Sequence, residues 1–456
     1  MEGFETSPGA PPTPGSNVKG AVAGANWCFL LPSLDLGRIV CLGPPSPAAL
    51  RTLVRLGDEV AVCAPARALR RIRSKMASAG TASLSLLESD RLDACPLPNE
   101  CADLVLLARS PSLSFARARR RLREAERLLK SDGLAYREIR GGPGRLAVRA
   151  AGHGIGFARP MTRLWLAPAS GEMRAAAPLG DRQAIDFLEA TFVNRPLLPR
   201  QLLRRPGRVL SRHRAVRRAV RREGELAGRA ADGLTTAPPR YLRSLAAAAG
   251  VDIEDRRWAL VAPGDYPSQK VLFFLFAPGA ARPESVVKIT RDPSLNPRLE
   301  NEWRALTLLD ERGRGADGTL PSPLFFGVHR RITVLGESAI AGEPFRKRTH
   351  ATADCPYARS AVEWLLDLGT ATATKGRPDA PFISALEPLF ERFKQLYRLE
   401  AGAEDFLGAQ VSALRRGTDG LPQIFQHGDP GPWNILITED GRTAFLDWEA
   451  AEPQGM

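Results

Sequence analysis

Long apolar runs are missing from this 456-residue chain. None approaches the roughly 20 residues that a membrane-spanning helix needs. Nor does the N-terminus pair a basic segment with an apolar core. Met1 to Gly20 is rich in Pro, Gly, Ser and Thr, which excludes a secretory signal and reads as a disordered tail. Cysteines are few and scattered: Cys28, Cys41, Cys63, Cys95, Cys101 and Cys355, with no Cys-x-x-Cys pair. That spacing argues against a zinc site and for buried free thiols in a reducing cytosol. Internal repeats are absent, and lysine is scarce beside arginine. A hydrophobic content of 44% with 25% charged residues is that of a soluble globular protein, and the length predicts two or three domains.

The net charge of +14 is mostly arginine, concentrated in Arg117 to Arg127 and above all in Arg195 to Arg222. The second stretch mixes apolar and basic residues at loosely helical spacing, broken by Pro199 and Pro206. Such a segment suits a solvated interdomain helix pair, with an anionic membrane surface as the alternative partner. Nucleic acid is disfavoured, because no motif with stacking aromatics accompanies the charge. The expected location is the cytoplasm, with peripheral membrane attachment left open.

Chemistry concentrates near the C-terminus. His427-Gly428-Asp429-Pro430-Gly431-Pro432-Trp433-Asn434 is followed by Asp447-Trp448-Glu449. Between them, Ile435-Leu436-Ile437 and Thr443-Ala444-Phe445-Leu446 flank Asp440-Gly441, a hairpin pattern that would bring Asn434 beside Asp447. Phosphoryl transfer needs this set of groups. One carboxylate handles the acceptor proton, and an amide with a second carboxylate holds magnesium against nucleotide phosphates.

The run His-Gly-Asp-x-x-x-x-Asn followed by Asp-Trp-Glu resembles the aminoglycoside phosphotransferase and choline kinase group, which shares the protein-kinase-like fold. The resemblance implies Asp429 as catalytic base and Asn434 and Asp447 as magnesium ligands. His427 would brace the loop structurally. Upstream, Lys288 lies in the strand-like run Ser285 to Thr290, in the setting of the kinase Val-Ala-Ile-Lys motif. A helical stretch from Pro297 to Arg312 follows. Its Glu302-Trp303-Arg304-Ala305-Leu306 fits the family's Glu-x-x-x-Leu, so Glu302 is the expected partner of Lys288 on the cofactor phosphates. The loop Pro263 to Gln269 stands where a phosphate-covering loop belongs. It lacks Gly-x-Gly-x-x-Gly, leaving Gly264 and Ser268 as its candidate ATP contacts. Ile332 to Pro344 resembles the strand and hinge between two lobes, with backbone near Ser338 to Ala341 facing adenine.

The first third alternates strands (37–43, 59–64, 102–108, 134–139) with helices (47–56, 117–129), which predicts a parallel α/β sheet. Its order, and the phrase Glu126-Arg127-Leu128-Leu129-Lys130-Ser131-Asp132-Gly133, resemble a class I S-adenosylmethionine-dependent methyltransferase. The turn after its first strand, Leu42-Gly43-Pro44-Pro45-Ser46-Pro47, departs from that family's glycine-rich turn, because prolines remove N–H donors and block close approach. The second strand ends Cys63-Ala64-Pro65, without the acidic residue for a ribose. The cofactor S-adenosylmethionine is therefore not expected.

The expected fold class is an α/β Rossmann-like N-terminal domain plus an α+β two-lobed protein-kinase-like domain. The boundaries read as tail 1–25, methyltransferase-resembling domain 26–170, basic helical linker 171–250 and kinase-like domain 251–456, with lobes 251–345 and 346–456. Only nine residues follow Asp447, so the C-terminal lobe reads as incomplete and the sequence as a fragment of a longer chain. The implied function is transfer of the γ-phosphate of ATP, with Mg2+, to a hydroxyl of a small molecule. The alternatives are a pseudokinase scaffold without turnover, and a methyltransferase.

Overall fold

The computed structural model describes residues 24–76, 83–108, 115–139, 161–168, 172–193, 222–228, 237–263, 269–314, 317–348, 354–375, 381–397, 399–417 and 422–455. Their strands are β1 Arg38–Leu42, β2 Glu59–Ala64, β3 Leu84–Glu88, β4 Ala102–Leu107, β5 Leu129–Ile139, β6 Met161–Ala167, β7 Ala175–Pro178, β8 Arg222–Gly228 and β9 Arg257–Val261. They continue with β10 Val271–Phe276, β11 Ser285–Ile289, β12 Pro323–His329, β13 Ile332–Ser338, β14 Gly342–Pro344, β15 Ile424–Gln426, β16 Ile435–Thr438, β17 Thr443–Phe445 and β18 Glu452–Gly455. The α-helices are α1 Pro47–Leu56, α2 Ala66–Met76, α3 Phe115–Leu128, α4 Arg182–Leu188, α5 Arg240–Ala248, α6 Asn296–Glu311, α7 Pro356–Thr372, α8 Pro381–Leu396 and α9 Ala401–Gly417.

Thirteen of these strands form one sheet, in the order β12-β13-β11-β10-β9-β7-β6-β8-β5-β4-β1-β2-β3. From β3 to β5 the pairing is parallel. Of these, β1, β2 and β4 read as near-continuous apolar runs because helices cover them, and Ile39 to Leu42 are wholly buried. From β5 to β12 every pairing is antiparallel. The join between the two expected domains is the short ladder Ala175↔Val261 and Ala176↔Leu260. A single hydrophobic core crosses it, running from Leu50 and Tyr136 to Phe273 and Val287. Trp27 stacks on Tyr136 with ring centres 4.2 Å apart.

Local chemistry explains the element ends. Ser46 caps α1 by accepting from the amide of Ala49 at 3.1 Å, and Pro47 opens the helix, where no N–H partner is needed. The helix expected to run to Leu129 stops at Leu128. Leu129 already pairs with Ala102, and Ser131 to Gly133 form an irregularity within β5 rather than a helix end.

The stretch 171–250 differs from a helical linker. It supplies β7 and β8 to the main sheet and carries α4 and α5. Of the basic stretch Arg195 to Arg222, residues 195–221 lie outside the described residues. Arg222 itself is buried in β8, where its Nη2 donates to both carboxylate oxygens of Glu138 at 2.7 Å. The expected tail to Gly20 also lies outside the described residues. All six cysteines are buried and free. Among the described residues, no helix is long and apolar enough to cross a membrane.

Candidate active site

The hairpin β16–β17 pairs Ile435 with Phe445, Leu436 with Ala444 and Ile437 with Thr443. One further bond extends the ladder: the Leu446 amide donates to the Asn434 carbonyl at 2.8 Å. Asn434 and Asp447 therefore stand at the same open end, as the turn chemistry of Asp440-Gly441 predicts. Asn434 is buried, and its Nδ2 donates to the Asp429 carbonyl at 3.0 Å and to Asp429 Oδ2 at 3.1 Å. Those two bonds leave the Asn434 amide oxygen as its remaining acceptor.

His427 is buried and linked on both ring nitrogens. Nε2 lies 3.0 Å from the Leu446 carbonyl, and Nδ1 lies 3.3 Å from the Asp429 amide. The carbonyl must receive a proton and the amide must give one, so the neutral tautomer protonated at Nε2 fits both partners. Burial lowers the imidazole pKa, outweighing the carbonyl and the nearby carboxylates that favour charge. Gly428 follows with φ +80°, and a Cβ there would overlap the carbonyl of Ala450. This is why glycine separates His427 from Asp429. Trp433 is 70% exposed, and its Nε1 donates to Asp429 Oδ2 at 3.2 Å.

Lys288 comes from β11, in the middle of the antiparallel part of the sheet, opposite Leu272 and Leu335. Its ammonium lies 2.6 Å from Glu302 Oε1 and 2.8 Å from Glu337 Oε1. Glu302 projects from α6, whose Leu299, Ala305, Leu306 and Leu309 pack inward on the same side. Burial opposes the charge on Lys288, but Glu302, Glu337 and Asp447 outweigh it and hold the ammonium above its ordinary pKa. Burial pushes the Glu337 carboxyl up to about 7, with Lys288 opposing and Glu302 reinforcing the rise.

The two halves of the site meet at Glu302. The same Oε1 that receives Lys288 also accepts from the backbone amide of Trp448 at 3.0 Å. Asn301, one residue earlier on α6, donates through Nδ2 to the carbonyls of Glu449 at 3.0 Å and Ala451 at 2.9 Å. The Asp-Trp-Glu segment is thus pinned to α6 by its backbone. Asp447 adopts the left-handed conformation, φ 65° and ψ 64°. Burial favours its neutral form, but Lys270 and Lys288 prevail and keep its pKa below the usual carboxylate value.

Lys270 carries no role in the sequence reading, yet it forms ion pairs with Asp447 Oδ1, with Glu449 Oε2 at 3.0 Å and with Glu302 Oε2 at 3.2 Å. Glu337, the second carboxylate on Lys288, likewise carries no motif in the sequence. Gly264 and Ser268 lie outside the described residues. In the expected hinge, the Ser338 amide donates to the Ser322 carbonyl and the Ala339 amide to the Glu284 carbonyl, both at 2.9 Å. Those two donors are already engaged within the protein.

Asp447 and Asn434 offer hard oxygen donors suited to magnesium, which usually takes one or two protein ligands and completes its shell with phosphate and water. Among the described residues, no group of three or more His, Cys, Asp or Glu is placed to hold a metal. In the parallel part of the sheet, the crevice beyond β1 and β4 is where a doubly wound fold binds ligands. Arg121 reaches into it from α3, with Nη2 donating to the carbonyls of Leu42 at 2.5 Å and Ala108 at 3.1 Å.

No curated protein matches the chain. Among solved structures, a putative methyltransferase from Pseudomonas syringae is similar at 17% identity and TM-score 0.26, over 31% of this chain and 87% of that one. A putative sarcosine dimethylglycine methyltransferase from Galdieria sulphuraria is similar at 13% identity and TM-score 0.27, over 44% and 80%. Spermidine synthase from Thermotoga maritima follows at 12% identity and TM-score 0.25, over 45% of this chain and 56% of that one. The phosphotransferase enzyme family matches residues 270–454, a span that holds Lys270, Lys288, Glu302, Asp429, Asn434 and Asp447, so the C-terminal part of this chain resembles that family.

Proposed function

We propose that the chain is an ATP-dependent phosphotransferase that passes the γ-phosphate to a hydroxyl of a small molecule. The observation that carries this reading is the shared oxygen of Glu302. It ties Lys288 to the backbone of the Asp-Trp-Glu segment, and so holds a phosphate-binding cation at a fixed place relative to Asp447. Asn434 and His427 do the same for Asp429. The arrangement suits a two-lobed kinase-like site in which the antiparallel strands supply Lys288 and the hairpin supplies the metal and base groups.

In this reading, magnesium when bound neutralises the phosphate charge that develops during transfer. Lys288 orients the phosphates, and Glu302 fixes Lys288. Asn434 and Asp447 hold the metal. Asp429 accepts the proton of the acceptor hydroxyl, and the bond from Asn434 Nδ2 aims the carboxylate. A nucleotide-binding scaffold without turnover is the second reading, favoured by one observation: Lys270 sits on the Asp447 carboxylate. S-adenosylmethionine is not proposed as a cofactor, because Arg121 bonds both strand-end carbonyls of the crevice that would receive it.

The test is turnover with MgATP across a panel of amino sugars, choline, homoserine and simple sugars, comparing the chain with Asp429→Ala. A phosphorylated acceptor that disappears in Asp429→Ala, with nucleotide binding kept, supports the reading. Undiminished turnover in Asp429→Ala contradicts it.

A further inference from the structure

Two lysines, not one, reach the carboxylates of this site. Lys288 is fixed in mid-strand between two ladder neighbours, Leu272 and Leu335, and between Glu302 and Glu337. Lys270 is placed differently. It stands one residue ahead of the first β10 ladder pair, Val271 with Ile289, and so lies outside the β10 ladder. Its side chain is 11% exposed, and its ammonium is held by Asp447, Glu449 and Glu302 together. Arg298 also reaches Glu449, at 3.2 Å, so Glu449 keeps a cation without Lys270. Asp447 is different: Lys270 is the cation in direct contact with its carboxylate.

An ammonium and a divalent ion seek the same carboxylate lone pairs. A divalent ion arriving at Asp447 must therefore displace Lys270. The displaced ammonium keeps Glu449 and Glu302 within reach but loses its contact with Asp447, and a buried ammonium gains from a further anionic partner in that place. The phosphates that accompany the metal are that partner. The lysine stem has four carbons and three rotatable donors, so it can make this exchange without backbone movement.

We propose that Lys270 is a second phosphate-binding lysine, which holds Asp447 in the nucleotide-free site and transfers to the nucleotide phosphates when a divalent cation takes its place. The inference rests on the phosphotransferase reading and adds to it a residue that couples metal entry to phosphate binding. It also accounts for the ion pair that would otherwise argue for a scaffold.

The experiment uses the full 456-residue chain and an acyl-phosphate derivative of ATP. A lysine amine close to the phosphates attacks the acyl carbonyl, forming an amide and releasing ATP. Peptide mapping then identifies which lysine has reacted. With Mg2+, both Lys270 and Lys288 are expected to be acylated, and excess ATP should protect both. With the metal chelated, labelling of Lys270 should fall about tenfold relative to Lys288, the factor that about 1.4 kcal/mol of retained ion pairing provides. Labelling of Lys288 alone overturns this proposal and leaves the phosphotransferase reading standing. Equal labelling of Lys270 with and without metal overturns the exchange. Labelling of neither lysine overturns both.

Discussion

The backbone amide of Trp448 donates to Glu302 Oε1 at 3.0 Å, across 146 residues of sequence. A helix in the middle of the chain thereby holds the segment that presents Asp447. Glu302 is completely buried and also receives Lys288 and Lys270, so one carboxylate organises both halves of the site.

Removing that carboxylate leaves two buried ammonium groups short of a partner. Glu302→Gln should lower stability by about 3 kcal/mol or more, the range for breaking a buried ion pair from one side. Chemical denaturation measures it. A loss below about 1 kcal/mol, typical of an exposed pair, would show that the network is solvated.

Gly428→Ala tests the loop that presents Asp429. The backbone is left-handed at φ +80°, and the new Cβ would press on the Ala450 carbonyl. A cost of about 1–3 kcal/mol follows from the conformation alone. The overlap adds displacement of the 3-10 turn Trp448–Ala450. A variant with unchanged midpoint and unchanged activity would show that the loop tolerates another path.

Much of this was readable from the sequence because the signals were local. The runs Val271 to Phe276 and Ser285 to Ile289 declare strands through branched and aromatic residues. Asp440-Gly441 declares the hairpin, the apolar spacing declares α6, and the Glu-x-x-x-Leu pattern within it points to Glu302. The parallel strands β1, β2 and β4 were legible for the same reason. What escaped depends on distant partners. Lys270 looks like an ordinary polar residue before a strand, and its contact with Asp447 spans 177 positions. Arg121 is one arginine among several on a polar helix, and only its reach to the ends of β1 and β4 distinguishes it. The Ala175–Pro178 strand has no alternation to read. It is set by its pairing with β6 and β9, so the merging of both regions into one sheet could not be foreseen.

Glu337 should give stability a pH dependence of unusual sign. Its carboxyl is raised from 4.5 to about 7 by burial, since Lys288 is shared with the closer Glu302. Between those two values the folded chain binds a proton that the unfolded chain releases. Its contribution is therefore full below about pH 4.5 and is lost as pH rises through about 7. Denaturant midpoints measured from pH 5 to 8 should fall less steeply with pH in Glu337→Gln than in the parent chain. Identical slopes would place Glu337 in water-like surroundings.

His427 contributes in the opposite direction. Burial holds its folded pKa below the ordinary value near 6.5, so its stabilisation is present above that pH and is lost as pH falls through the lower folded value. Protonation at Nδ1 would also set a second donor against the Asp429 amide. The imidazole resonances followed by NMR should therefore titrate below pH 6.5. Titration above it would mean that the ring is charged and the tautomer assignment is wrong.

The central claim is that Lys288, Asp447 and Asn434 form a nucleotide site. Thermal stabilisation by MgATP tests it most directly, with S-adenosylmethionine and Asp447→Ala as comparisons. At a hundred times its dissociation constant, MgATP should add about 2.7 kcal/mol. That gain is expected in the parent chain, with its loss in Asp447→Ala and no response to S-adenosylmethionine. Stabilisation by S-adenosylmethionine alone, or by MgATP undiminished in Asp447→Ala, would contradict it.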